Sequence, residues 1–483
     1  MKNFRQTIGL LLLISLVPSL AAAQSGKEVV AAHIEAGRAN YANVAQQIWD
    51  LAEVGYQEEK SSGLLQSELK AAGFTVDAGV AGMPTAFVAS YGSGAPVIGI
   101  LAEFDALPGI MQERQPSRLV RLGTSAGHAC GHHLLGTGSS AAAIAVKHWL
   151  ETSGTAGTIR LYGTPAEEGG SGKVYMVRKG LFDDVDVVLT WHAGDANAAN
   201  PSTSLANKSA KFRFRGVSAH AAGAPDRGRS ALDGVEAMNN MVNMMREHVP
   251  QETRIHYVIT SGGSAPNVVP DFAEVYYYVR NPDPDNVQSL FNWVVKAAQG
   301  AAMGTETEMD YEVIHGIYAV LPNETAQRVM YDNLVAVGGI EYTPQEREFA
   351  EILRQSLTDP PPIESAGEIE PYRFTRRSSS TDVGDVSWVV PTAALRTATW
   401  VPGTSAHSWQ AIAAGGMSIG EKGMINAAKV LAMTAVDLFT SPDLVAAAKA
   451  EHLENQGPDF QYVPMVGDRN PPLDYRKPAT GGR

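Results

Sequence analysis

The sequence predicts an α/β protein in two units: a sheet covered by helices on both faces, and a smaller βαββαβ unit inserted into it. Three observations lead there. The 483 residues exceed what one hydrophobic core usually supports. Short apolar runs alternate with helical patterns through the first part of the chain, as they do when a sheet is covered on both sides. Near Asn207 that rhythm changes to strand, helix, strand, strand, helix, strand.

In chain order, "VVAAHIEAGRANYANVAQQIWDLAE" and "EEKSSGLLQSELKAAG" carry helical spacing, the second stopping at Gly73. Strands are expected in "TAFVASYG", "PVIGILAEF", "GTIRLYGTPAEE" and "VDVVLTWHAG", with the helix "GTGSSAAAIAVKHWLE" among them. From Asn207 the pattern reads strand "KFRFRG", helix "RSALDGVEAMNNMVNMMREH", strands "RIHYVITS" and "FAEVYYYVR", helix "DNVQSLFNWVVKAAQGAA" and strand "ETEMDYEVI". That order is ferredoxin-like, and its length suffices for a separate small domain. Helices "TAQRVMYDNLVAVG" and "PQEREFAEILRQSL", a proline-rich loop, the strand "PTAALRTATWV" and the long helix "GEKGMINAAKVLAMTAVDLF" then resume the larger unit. The boundaries are therefore set at 24–206 and 322–483 for the larger unit and 207–321 for the insertion. The proline-rich tail from Gln456 is expected to strap the surface.

Residues 1–23 read as an export signal: Lys2 and Arg5, the apolar run "TIGLLLLISLVPSL", then small residues suited to cleavage near Ala23. An uncleaved anchor is the alternative, although the run falls short of the ~20 residues a spanning helix needs. The expected location is periplasmic or secreted. With 38 Lys and Arg against 51 Asp and Glu the net charge is −13, and no basic block is interleaved with aromatics, so nucleic acid is not an expected partner.

An oxidising compartment favours disulfides, yet the chain holds one cysteine, which cannot pair within its own chain. Cys130 lies in "GHACGHHLLGTG", among His128, His132 and His133. Ligands in open α/β sheets bind beyond the carboxyl ends of the strands, and those ends carry matching chemistry. Glu103 and Asp105 follow "VIGILA", Glu167 and Glu168 follow "IRLYGTP", His192 follows "VVLTW", and His407 follows "LRTATWV", while Cys130 and His132 sit just before a helix. One histidine alone is more often a satisfied hydrogen-bonding residue than a ligand, and a buried apolar cysteine is an alternative for Cys130. Together, a thiolate, imidazoles and carboxylates suit Zn²⁺ or Mn²⁺, and their number suggests two ions. Two ions about 3.5–4 Å apart activate a water and polarise a carbonyl, which is hydrolytic chemistry. Of the adjacent glutamates one could bind metal and the other move the proton; Asp105 is placed to orient a histidine. His133 stays ambiguous.

The motifs "AEFDALPG", "GHACGHHLLG", "GTPAEEGGSGK", "TWHAG", "GVSAHAA", "APNVVPD", "STDVGDVSW" and "GTSAHSW", in this order, resemble the amidohydrolase branch of the dinuclear-metal aminoacylase and carboxypeptidase metallopeptidases. Within that branch they resemble p-aminobenzoyl-glutamate hydrolase subunits and their relatives, over about residues 49–425. The resemblance implies a zinc-peptidase-like α/β/α catalytic domain with an inserted lid and dimerisation domain. It implies two divalent ions, Zn or Mn, held by Cys130, His132, Glu168, His192 and His407, with Glu167 as general base and acid. His220 would reach the active site of the second subunit of a homodimer and stabilise the oxyanion, an interaction often worth about 3 kcal/mol. Asn267 and Arg280 would hold the substrate's carboxylate, a task the planar guanidinium suits. On the residues alone, His220 could be a surface residue, Asn267 a turn former, and Arg280 the partner of an aspartate in "NPDPD".

The expectation is thus an exported dinuclear amidohydrolase cleaving N-acyl amino acids or aminobenzoyl-glutamate-like substrates with a metal-held hydroxide. The alternatives are a dipeptidase or aminopeptidase, with Glu103 or Asp382 meeting the substrate's free amine, and a non-catalytic subunit of the same fold.

Overall fold

The computed structural model describes residues 25–477; the export signal and its anchor alternative lie outside the described residues. A six-stranded sheet runs in the order Thr75–Ala78, Phe87–Ser93, Gly157–Gly163, Val97–Ala102, Val187–Gly194, Thr392–Ala398. The last four strands are mutually parallel, while the first two form an antiparallel flank. Val97–Ala102 is buried throughout, which is why it reads as an unbroken apolar run rather than an alternating one.

On one face lie the helices His132–Ser153 and Ser418–Thr440, joined by Gly26–Ala36 in a core that includes Ile34, Leu135, Trp191 and Leu431. Ser418–Thr440 is long and apolar enough to cross a membrane, but most of it is buried in this core. The opposite face is covered by the short helix Gly172–Arg178 and the C-terminal tail, over Leu101, Tyr162, Phe182 and Val466. The first helical stretch is two helices, Gly26–Ala36 and Arg38–Leu51, parted at Gly37. A Cβ at Gly37 would lie 2.6 Å from the Tyr41 ring, so the chain turns there on a residue without a side chain.

The second unit is a four-stranded antiparallel sheet in the order Arg254–Ser261, Phe272–Asn281, Ala206–Arg215, Glu308–Ile317. Helices Ala231–Met245 and Pro284–Thr305 cover one face through Val235, Met238, Phe291 and Val294, packed on Phe212, Phe214, Val275 and Tyr277. Ser230 and Asp283 cap these helices through their side chains, satisfying amides that otherwise have no intrahelical partner. Arg254–Ser261 is an edge strand with Tyr257, Val258 and Ile259 exposed.

The tail does cross the surface, after a helix, Pro442–Gln456, that hydropathy spacing did not reveal. Arg178 holds it by donating to the carbonyls of Gly467 (2.7 Å) and Arg469 (2.8 Å). The tail's own Met465 and Val466 are buried against the domain.

Candidate metal centre

The sheet places the site at its carboxyl edge. Gly131 has φ 78°, and a Cβ there would lie 2.4 Å from Ala193 Cβ, so the turn between Cys130 and His132 needs glycine on both counts. His132 is the first residue of the helix, not a residue before it as expected from the sequence, because that glycine takes the N-cap position. His192 lies inside the strand Val187–Gly194. Three non-glycine residues at the site are left-handed: Ala166 and Ser171, which bracket Glu167 and Glu168, and His407. Such backbone costs about 1–3 kcal/mol each and clusters at functional sites.

Cys130, His132 and His192 bring ligand atoms within 4.8 Å of one another, and so do Cys130, Glu168 and His407. Cys130 belongs to both sets. Its Sγ is 3.4 Å from His192 Nε2. His407 Nε2 approaches Glu168 Oε1 to 3.3 Å, yet that buried oxygen has no hydrogen-bond partner. His132 Nε2 and Glu103 Oε2, 3.2 Å apart, are both buried and likewise unbonded. Buried polar atoms are normally paired. His132 Nε2 and Glu168 Oε1, buried within these clusters without partners among the described residues, suit a common third partner, and a thiol, three imidazoles and a carboxylate are donors that fit divalent cations.

The surroundings orient these donors. Asp105 accepts a hydrogen bond from His132 Nδ1 (2.9 Å) with one oxygen and from the Glu168 amide (3.0 Å) with the other, fixing a candidate ligand from each set and leaving Nε2 of His132 as the free nitrogen. Burial pushes the Cys130 thiol up, and Glu168 adds to the rise. Glu167 is also held well above the usual carboxylate range, by burial first and then by Glu103 and Glu168. His133 faces elsewhere: its Nε2 lies 3.0 Å from the Gly415 carbonyl, and burial holds its pKa down to about 3, so it is a neutral packing residue.

Glu103 and Asp382 are already engaged. Lys173 Nζ lies 2.7 Å from Glu103 and 2.6 Å from Asp382, all three buried. Asp382 is fully engaged, accepting from both the amide and the ammonium of Lys173, whereas Glu103 meets Lys173 with Oε1 only and keeps Oε2 beside His132, so of the two acids Glu103 is the one left to meet a substrate amine. Sequence reasoning missed Lys173, because a lysine in "GGSGK" looks like a loop cation.

A cavity of about 640 Å³ opens over the centre and is lined by Cys130, Glu167, Glu168, His192 and His407 on one side and Tyr278, Arg280 and His315 of the smaller unit on another. Among the described residues Arg280 pairs with no aspartate and its buried Nε has no partner; its guanidinium lies over the Tyr278 ring at 5.2 Å, and Asp283 caps a helix instead. His220 and Asn267 are exposed and do not line this cavity. They share one loop pair, joined by the Ala221 amide to the Asn267 carbonyl (3.0 Å). The tail adds Arg476, which donates to the Glu168 carbonyl and lines the cavity. Nothing in the proline-rich composition marks that arginine.

Residues 206–305 match the family model for a peptidase dimerisation domain. The chain is 43% identical to one of the p-aminobenzoyl-glutamate hydrolase subunits of Escherichia coli (strain K12), over 87% of this chain and 93% of that protein. It is 30% identical to the Xaa-Arg dipeptidase of Mus musculus, over 84% and 88%. Among solved structures, an aminobenzoyl-glutamate utilization protein from Klebsiella pneumoniae superposes with a TM-score of 0.61 at 17% identity, covering 84% of this chain and 98% of that one. A Bacillus subtilis protein described as a dinuclear metal binding peptidase from the M20 family superposes with a TM-score of 0.55 at 16% identity, covering 84% and 99%. The chain belongs to the M20 family of metallo-amidohydrolases and peptidases.

Proposed function

We propose that the chain hydrolyses the amide bond of N-acyl amino acids, including aminobenzoyl-glutamate-like compounds, with two divalent cations, zinc or manganese. The convergence of two ligand sets on Cys130 carries this reading. One cation is assigned to Cys130, His132 and His192 and the other to Cys130, Glu168 and His407. Bound there, such ions supply Lewis acidity that lowers the pKa of a water and polarises the amide carbonyl.

The chain's own residues do the rest. Glu167 takes a proton from the attacking water as its oxygen bonds to the amide carbon, and delivers it to the nitrogen as the C–N bond breaks. Its buried, negatively charged surroundings suit a carboxyl that must hold that proton between the two events. Arg280, with a partnerless buried Nε, binds the α-carboxylate of the amino-acid part.

His220 and Asn267 act from a second copy, His220 stabilising the oxyanion and Asn267 the carboxylate. Two observations favour a homodimer through the smaller unit: the exposed apolar edge strand Arg254–Ser261, a template for strand pairing, and the position of His220 away from its own cavity. Export to the periplasm or beyond, with cleavage near Ala23, is part of the same proposal.

The test is a hydrolysis screen of N-acyl amino acids against dipeptides with free amines, using apo protein restored with zinc or with manganese. Faster release of the amino acid from the acylated compounds is expected. A preference for free dipeptides overturns the reading in favour of a dipeptidase, and metal-replete protein inert to the whole panel favours a non-catalytic subunit.

A further inference from the structure

Arg396 stands in the strand Thr392–Ala398, paired in register with His192 of the neighbouring strand, so its side chain begins beside one of the proposed ligands. Arg377 follows the two-residue strand Thr375–Arg376, and its amide donates to the Thr203 carbonyl (3.1 Å). Both line the cavity. Among the described residues neither guanidinium has a hydrogen bond or ion pair, and Arg396 Nε is fully buried without a partner. The acids whose charge reaches them, Asp195 and Glu370, form no ion pair with either arginine and accept instead from the Gly403 amide (3.0 Å) and the Asn200 side chain (3.4 Å). The Ser380 hydroxyl, also lining the cavity, is buried and unbonded.

Two neighbouring, largely buried guanidiniums that feel Glu370, and in the case of Arg396 also Asp195, without pairing to either are an unfavourable arrangement for a protein on its own. Burial, with Arg396 beside it, pushes Arg377 down to about 10, so the repulsion is felt. Such a pair is stabilised when an anion enters, and the fork geometry of arginine suits a carboxylate. Arg280 belongs to the smaller unit and the pair to the larger one, so the cavity offers cationic donors from two sides.

We propose that Arg377 and Arg396, with Ser380, form a second anion subsite that binds the side-chain carboxylate of an acidic amino acid in the substrate, while Arg280 takes the α-carboxylate. This rests on the amidohydrolase reading above and adds to it a selection for dicarboxylic amino acids.

The test compares N-benzoyl-glutamate with its uncharged near-isostere N-benzoyl-glutamine on the metal-restored protein and on the Arg377→Gln and Arg396→Gln variants. Glutamate is expected to be preferred in kcat/KM by roughly 10- to 100-fold, the range of one or two charge-assisted hydrogen bonds, mostly through KM. Each substitution should collapse that ratio toward one. Equal losses on both substrates would mean that the arginines are only structural, and a wild-type ratio near one would overturn the subsite. Calorimetric binding of free glutamate against glutamine needs no turnover. If the protein hydrolyses neither substrate yet binds glutamate more tightly in an Arg377- and Arg396-dependent way, the subsite stands and the amidohydrolase reading falls. Equal binding of the two amino acids by an inert protein overturns both.

Discussion

Replacing Glu167 by Gln is expected to lower kcat by about 10³-fold while leaving cation content and fold unchanged. Glutamine keeps the size of the side chain and its place in the turn between Ala166 and Ser171 but cannot carry a proton from water to the leaving nitrogen. Glu167 belongs to neither of the two sets that share Cys130, although its carboxylate also lies within 4.8 Å of ligand atoms of Glu103 and His132, so cation content is the decisive control. Metal analysis alongside steady-state rates checks both halves. Near-normal turnover would mean that another group moves the proton; loss of bound metal together with activity would mean that Glu167 is a ligand.

Substituting Lys173 by Met should destabilise the protein by about 3–5 kcal/mol at neutral pH, since it strands the carboxylates of Glu103 and Asp382 in the interior. The pH dependence has a definite sign. Burial already holds Asp382 up to about 6 against the pull of the Lys173 ammonium, and without that ammonium it rises further above its unfolded value near 4. The folded chain then binds more protons than the unfolded one, and the variant loses stability as pH rises through that window. Its deficit relative to wild type should be largest at pH 7 and shrink toward pH 4. Denaturant unfolding of both proteins at several pH values measures this, and adding Asp382→Asn should restore part of the loss. A deficit independent of pH would assign the effect to packing alone.

Much of the catalytic unit was legible because its physics is local. Fully buried parallel strands such as Val97–Ala102 read as unbroken apolar runs, and the candidate ligands Glu168 and His192 lie just past or close to the carboxyl ends of such strands. The smaller unit was legible from its order of strand and helix patterns, whereas its caps Ser230 and Asp283 emerged only from the structure. What stayed hidden depends on contacts far apart in sequence. Lys173 reaches Asp382 across 209 positions, and Arg476 reaches Glu168 across 308. Gly37 looked compatible with one continuous helix until the Tyr41 ring was seen to fill the space of its side chain. Arg377 and Arg396 gave no signal either, because a cation in a strand or loop reads as solvated until the absence of an acid beside it is seen in three dimensions.

The proposed sharing of Cys130 by two cation sites has a direct spectroscopic signature. Apo protein titrated with Co²⁺ should take up two ions per chain and develop a thiolate-to-cobalt charge-transfer absorption that is absent from the Cys130→Ser variant. Uptake of one ion or none, or an absorption that survives the substitution, would contradict it.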